Sequence, residues 1–223
     1  MARARFDLVD EEIDLGSGLR VRISRPREPE RLLDEDVAVG ASEAPYWAEL
    51  WPSARALAAH LAALDLHGVR TVELGCGLAL PSVAAALRGA DVLAVDHDAD
   101  AVKIARTNGR RTGRRVRGLV ADLRDAPDEL REAGPFDLVL AADVLYDDAL
   151  AAALARLIPE LTAPSGRALV AFPWRGQADE LARALEQAGM HVRLGELEAP
   201  GLLHARTVGL LDAAGALAAN ATN

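Results

Sequence analysis

The stretch "VELGCGLALPS", residues 72–82, sets two glycines between an apolar run and an alanine-rich run with proline near its start. Glycine has no Cβ, so Gly75 and Gly77 mark a tight turn where main chain can approach a small ligand. Three ligands compete for it. A phosphate loop needs a lysine followed by serine or threonine after its last glycine, and none follows here. A dinucleotide turn needs a third glycine for close helix–strand packing, and Leu80 stands in that place, followed by Pro81. A nucleoside ligand without a pyrophosphate survives.

Reading outward, the chain alternates. Short strands are predicted at "TVEL" (71–74), "DVLAVD" (91–96), "VRGLVAD" (116–122), "FDLVLAAD" (136–143), "RALVAF" (167–172), "HVRLGELE" (191–198) and "ARTVGLL" (205–211). Helices are predicted near 52–66, 80–88, 98–110, 147–158 and 176–188. Strands alternating with helices of this length make βαβ units, hence a mostly parallel sheet covered on both faces. The last two strands are joined by a short loop without a helix, so they pair antiparallel. Upstream, "EEIDLGSGLRVRIS" alternates on both sides of Gly16-Ser17-Gly18 and predicts a hairpin. The expected architecture is a Rossmann-like, doubly wound sheet of seven strands, the last antiparallel. It divides into a hairpin extension (1–40), a main domain (41–212) and a flexible tail (213–223).

Ligands of such sheets sit at the carboxyl ends of the strands, where strand order reverses. Asp96 ends the second strand, nineteen residues after Gly77, where a carboxylate can accept from a ribose diol. Asp122 ends the third strand, placed to accept from an adenine amino group. Each aspartate alone could equally be a helix N-cap, and both readings stay open; their succession favours the ligand.

Composition narrows the classes. The 223 residues carry a net charge of −9, which opposes general nucleic-acid affinity. A single cysteine rules out a disulfide framework and fits a reducing cytoplasm. Five scattered histidines show no metal spacing, so no metal is expected. No apolar run approaches the ~18 residues of a membrane span, and the charged start does not resemble a signal peptide. A cytoplasmic monomer is the expectation.

Glu73, Gly75, Gly77, Asp96 and Asp122 occur in the order that class I, seven-strand S-adenosylmethionine methyltransferases show. More narrowly, "PYWAELWPSARALAAHL" (45–61) and "AADVLYDDALAAAL" (141–154) resemble the family-16 protein methyltransferases. Within that family they are most similar to the lysine methyltransferases of the electron transfer flavoprotein β-subunit, over roughly residues 43–190. The resemblance implies S-adenosylmethionine as cofactor, held by Trp51, Glu73, Gly75, Cys76, Gly77, Asp96, His97, Asp122, Leu123 and Ala142. It also implies that Asp143 and Tyr146, the D-x-x-Y element, face the transferred methyl group. Two departures stand out. Ala79 replaces a usual glycine, a small intrusion the pocket should survive, and "AFPWRG" (171–176) replaces a family turn, which bears on the acceptor.

Methyl transfer needs a positioned, unprotonated nucleophile. A lysine starts at a pKa of ~10.4, so it must lose a proton, and a nearby carboxylate orients the amine. Asp143 supplies one; its bland alternative is to cap the helix that follows, with Tyr146 packed beneath a loop. Trp47 reads equally as core or pocket, and Trp174 as core or acceptor channel. Cys76 sits where a helix start could stabilise a thiolate, yet no base is paired with it and a tolerated small residue is the better reading. The arginines of "RTNGRRTGRRVRG" (106–118) complement the dipole of the helix they end, far from the methyl group; binding of an RNA or acidic partner is the lesser reading.

The leading function is methylation of a protein lysine, with a small-molecule N-methyltransferase as the alternative. A non-catalytic binding module and an NAD oxidoreductase rank below. A pocket roofed by the hairpin would favour a small molecule, and an open acidic groove a protein.

Overall fold

The computed structural model describes residues 7–16, 18–29, 45–173, 177–200 and 206–218. An antiparallel pair, β1 (Leu8–Asp14) and β2 (Arg20–Pro26), leads the chain. A 3-10 turn (Tyr46–Ala48) and helix α1 (Pro52–Ala62) come next. The alternation runs β3 (Arg70–Leu74), α2 (Leu80–Leu87), β4 (Asp91–Asp96), α3 (Ala99–Arg111) and β5 (Val116–Val120). Helix α4 (Asp128–Ala133), β6 (Phe136–Ala142), α5 (Asp148–Leu161), β7 (Thr162–Phe172) and α6 (Gln177–Gln187) follow. The hairpin β8 (His191–Ala199) and β9 (Arg206–Ala214) closes the sheet.

The seven strands lie in the order β5-β4-β3-β6-β7-β9-β8. All pairs from β5 to β7 are parallel, and β9 is antiparallel to both its neighbours. Strand order reverses between β3 and β6, which opens a crevice beyond their carboxyl ends. Because helices cover both faces, the central strands are apolar on both sides. Leu138 and Leu140 enter the core shared with α1, α2 and α3, while Val139 and Ala141 enter the one shared with α5 and α6.

The hairpin packs as part of the first core, through Ile13, Leu15, Val21 and Ile23. Its main polar fastening is Asn108 of α3, fully buried. Ser24 N donates to Asn108 Oδ1 (2.7 Å), and Asn108 Nδ2 donates to the carbonyls of Ser24 (3.1 Å) and Leu78 (3.0 Å). One amide thereby ties the hairpin to the residue after the glycine turn. Removing it would leave buried groups unpaired, at ~1–3 kcal/mol. Arg111 pairs with Asp10 of β1, and Arg55 of α1 with Glu11, which also pairs with Arg25 (2.5 Å).

Several elements depart from the sequence expectation. Strand β7 starts at Thr162 rather than Arg167, because Thr162 still pairs with Phe136 across a register shift despite the Pro-Ser-Gly that follows. Helix α4 is too short to show a period. Ala213 and Ala214, assigned to the tail, are paired to β7 and β8, so β9 outlasts the expected domain end; residues 219–223 lie outside the described ones.

Candidate active site

Gly75 (φ +71°) and Gly77 (φ +48°) both adopt left-handed backbone at the end of β3. The first neighbours they clear are protein. A Cβ on Gly75 would lie 2.6 Å from Val144 Cγ1, and one on Gly77 would lie 3.2 Å from the carbonyl oxygen of Trp47. The turn is fastened from β4: the amides of Gly75 and Cys76 both donate to Val95 O at 2.9 Å. Ala79 is also left-handed, at φ 60°, as N-cap of α2.

All twelve residues singled out from the sequence line one cavity of ≈ 660 Å³ at the crevice. β3 and its turn bring Glu73, Gly75, Cys76 and Gly77; β4 brings Asp96 and His97. The end of β5 brings Asp122 and Leu123, β6 brings Ala142 and Asp143, and the flanking turns bring Trp51 and Tyr146.

The four carboxyl groups are held in four ways. Asp96 is buried, and its oxygens accept from Gly77 N (2.9 Å) and Asp98 N (3.0 Å). A carboxylate has about four lone-pair sites; His97 Nδ1 also lies 3.3 Å from Oδ1, so the site left for a diol is on Oδ2. Glu73 is wholly buried, and one oxygen, Oε2, accepts from both Ser82 N (3.0 Å) and Ser82 Oγ. Burial pushes its pKa up to about 8 against those hydrogen bonds, with Asp96 adding to the rise. Asp122 caps the 3-10 turn Leu123–Asp125 and forms a two-pronged pair with Arg124, whose guanidinium holds its carboxyl below the usual range. The capping alternative weighed for Asp122 is therefore realised on the cavity wall itself.

Asp143 is the least expected. It sits at φ 58° directly after β6, and its oxygens accept from Ser53 N (3.0 Å) and Ser53 Oγ (2.9 Å). It therefore caps the start of α1, ninety residues upstream. It does not cap α5, where Asp147 accepts from Leu150 N (2.8 Å). Tyr146 lies in the turn before α5, which begins at Asp148.

Sequence reasoning passed over the rest of the cavity mouth. Tyr46, Glu49 and Asp147 line it beside Trp51, Asp143 and Tyr146. The rings of Tyr46 and Tyr146 are 5.8 Å apart, and those of Tyr46 and Trp51 are 6.2 Å apart, edge to face. All three stay exposed at 37–48 %, and Trp51 Nε1 donates to Tyr46 O (2.9 Å). Tyr46 shares the "PYWAELW" segment with both tryptophans, so the signal lay in an aromatic cluster rather than in spacing. Trp47 is buried in the core and also borders the cavity, which joins its two readings. Trp174 and Arg175 lie outside the described residues.

Cys76 does not carry a thiolate: burial raises its pKa well above the ordinary value, and Asp96 and Glu73 raise it further. Among the described residues, none of the hairpin lines the cavity, since the hairpin is committed to α3. Among the described residues no group of side chains has metal-binding composition, and no helix is long and apolar enough to cross a membrane.

Residues 72–166 match the model of a methyltransferase domain family. Similar proteins include the electron transfer flavoprotein β-subunit lysine methyltransferase of Danio rerio, 30% identical over 178 residues, 76% of this chain and 64% of the relative. Ubiquinone biosynthesis O-methyltransferase of Xanthomonas oryzae is 34% identical over 106 residues, 48% of this chain and 44% of the relative. Magnesium protoporphyrin IX methyltransferase of Synechocystis, solved with bound S-adenosylmethionine, superposes with a TM-score of 0.60 at 17% identity, covering 84% of this chain and 97% of that one. Residues 72–166 thus carry a methyltransferase domain, and the fold is that of the S-adenosylmethionine-dependent methyltransferases it superposes on. The chain is similar to the lysine methyltransferases of the flavoprotein β-subunit and spans less than two thirds of the length of the curated relatives it matches.

Proposed function

We propose that the protein transfers a methyl group from S-adenosylmethionine to a lysine side chain of a protein. The observation that carries the acceptor is the mouth of the cavity. Tyr46, Trp51 and Tyr146 expose their rings there beside Glu49, Asp143 and Asp147. Aromatic faces and carboxylates attract an ammonium, and the single arginine lining the cavity among the described residues, Arg124, is paired with Asp122. An open acidic mouth admits a side chain borne on a protein.

The residues fit the cofactor. Gly75 and Gly77 present main chain without a Cβ on either side of Cys76, and Asp96 Oδ2 keeps an acceptor site for a diol. S-adenosylmethionine supplies an electrophilic methyl group; the amine nitrogen forms the new C–N bond as the C–S bond breaks, leaving S-adenosylhomocysteine. Asp143, held by Ser53, draws in and orients the amine, whose proton leaves to solvent. The assignments of Trp51, His97, Leu123, Ala142 and Tyr146 to cofactor or acceptor belong to the same proposal.

Calorimetry tests the cofactor: S-adenosylhomocysteine should bind and NAD should not. Labelled methyl transfer from S-adenosylmethionine into lysate proteins, read by mass spectrometry, tests the acceptor. Label appearing solely in small molecules would overturn the protein reading.

A further inference from the structure

A second cleft, of ≈ 870 Å³, lies along the outer edge of β5 and is lined by Arg106, Arg110, Arg114, Arg115 and Arg117, with Glu129 opposite. The sequence reading gave these arginines to the dipole of α3. For Arg110 that location holds, since α3 ends at Arg111. The turn then does something else. Gly113 (φ +73°) closes α3, with Arg114 N donating to Gly109 O (3.0 Å), a left-handed cap that swings the chain back. It sets Arg114 and Arg115 exposed at the cleft. Arg106 donates to Gly118 O (2.6 Å) and Arg117 to Asp91 (3.2 Å); among the described residues Arg114 and Arg115 have no side-chain partner.

Five guanidinium groups around one concavity are costly in mutual repulsion unless an anion is expected. That the whole chain carries −9 makes the local concentration sharper. The cleft neighbours the cofactor cavity along β5. Leu119 lines the cleft, Ala121 lines the cavity, and exposed Val120 stands between them. From β5 to β6, where the acceptor mouth opens, is three strand spacings, about 14 Å, and Arg114 and Arg115, which precede β5, lie a further strand length of about 16 Å from the carboxyl ends. A small molecule in the cleft could not reach that mouth; a protein laid along the β5 edge of the sheet could touch both.

We propose that the arginine cleft docks an acidic segment of the protein acceptor, while the acidic mouth receives its lysine. This rests on the protein-acceptor reading above. The acceptor would be read as a bipolar surface, negative against β5 and positive at the mouth, a complementarity that speeds encounter and rejects wrong partners. A nucleic acid is the other polyanion. It is disfavoured because no aromatic ring lines the cleft for base stacking.

The test uses a fluorescent ten-residue glutamate peptide and a ten-nucleotide RNA as probes. It compares the native protein with the variant Arg110→Ser, Arg114→Ser, Arg115→Ser. Arg111, committed to Asp10, is left alone. The peptide should bind at low salt, weaken as salt rises, and lose on the order of tenfold in the variant. S-adenosylhomocysteine affinity should not move. The peptide should also inhibit labelling of lysate proteins by the native enzyme. No peptide binding, equal binding to the variant, or tighter binding of the RNA would each overturn the proposal. If the native protein binds S-adenosylhomocysteine but labels no protein, the protein-acceptor reading fails and the cleft's role falls with it. Labelled proteins that the variant methylates as well as the native enzyme would sink the docking role alone.

Discussion

The two clefts beside β5 hold opposite charge in opposite ways. Deep in the cofactor cavity four carboxyl groups are tied down: Asp96 by the amides of Gly77 and Asp98, Glu73 by Ser82, Asp143 by Ser53, Asp122 by Arg124. In the arginine cleft Arg106 and Arg117 are anchored, whereas Arg114 and Arg115 extend unpaired among the described residues. Chemistry at a reacting centre requires groups held within a fraction of an ångström. Docking by charge works over several ångströms and tolerates mobile side chains. The contrast between pinned acids and loose bases is therefore a contrast of tasks, and each side can be broken separately.

The largest effect should come from Asp143. Asp143→Asn keeps an acceptor for Ser53 and removes the charge, so turnover should fall by on the order of 10²-fold with cofactor affinity little changed. Its loss of stability should be ~1 kcal/mol, the scale of a weakened helix cap. Ser53→Ala separates the two roles. It should cost similar stability yet leave turnover near native, because the carboxylate remains. If both variants lose turnover equally, Asp143 acts by anchoring α1 and the aromatic segment before it, and is a positioning residue.

Next comes Asp96→Ala, which removes the acceptor proposed for the diol and loosens Gly77. S-adenosylhomocysteine affinity should drop ~30–150-fold, equivalent to about 2–3 kcal/mol. An unchanged affinity would show that the carboxylate serves the turn alone.

These two aspartates also mark what could be read from the sequence. The strand–helix alternation, the glycine turn and the acidic strand ends are local signals, and each fell where its period or spacing placed it. The partner of Asp143 was not legible. Ser53 lies ninety residues away, and which helix a carboxylate caps depends on how α1 packs across the sheet end. The aromatic mouth failed for a similar reason: Tyr46 becomes a neighbour of Tyr146 only after β3 and β6 pair. The arginine run was read as helix-end chemistry, which describes α3 but not the reversal at Gly113 that turns Arg114 and Arg115 into the second cleft.

A third prediction concerns pH. The Glu73 carboxyl, ordinarily near 4.5, is pushed up to about 8 by burial. Between those values the folded protein holds a proton that the unfolded chain has released, so stability is greatest below about pH 4.5 for this group and falls as pH rises to about 8. Melting temperature of the cofactor-free protein should decline across that window, and Glu73→Gln should flatten the decline. A variant with the native slope would place the titrating group elsewhere.

The smallest effect is expected at Ala79, and it is informative because a methyl two residues earlier is expected to matter. Ala79 sits at φ 60°, which strains an alanine by ~1–2 kcal/mol. Glycine would relieve that, but would lose ~0.4–1 kcal/mol to the freer unfolded chain and about 0.8 kcal/mol from a buried methyl. The terms nearly cancel, so Ala79→Gly should move Tm by less than about 2 °C and leave S-adenosylhomocysteine affinity as it was. Gly77→Ala meets the opposite balance. The backbone is equally left-handed, and the new Cβ would press against the Trp47 carbonyl oxygen at 3.2 Å. Backbone strain of ~1–2 kcal/mol then goes unrelieved, and the displaced Trp47 segment leads directly into the aromatic mouth. If Ala79→Gly instead raises Tm by more than about 5 °C, the alanine stores strain that the methyl burial does not offset, and the family's usual glycine is the better residue here as well.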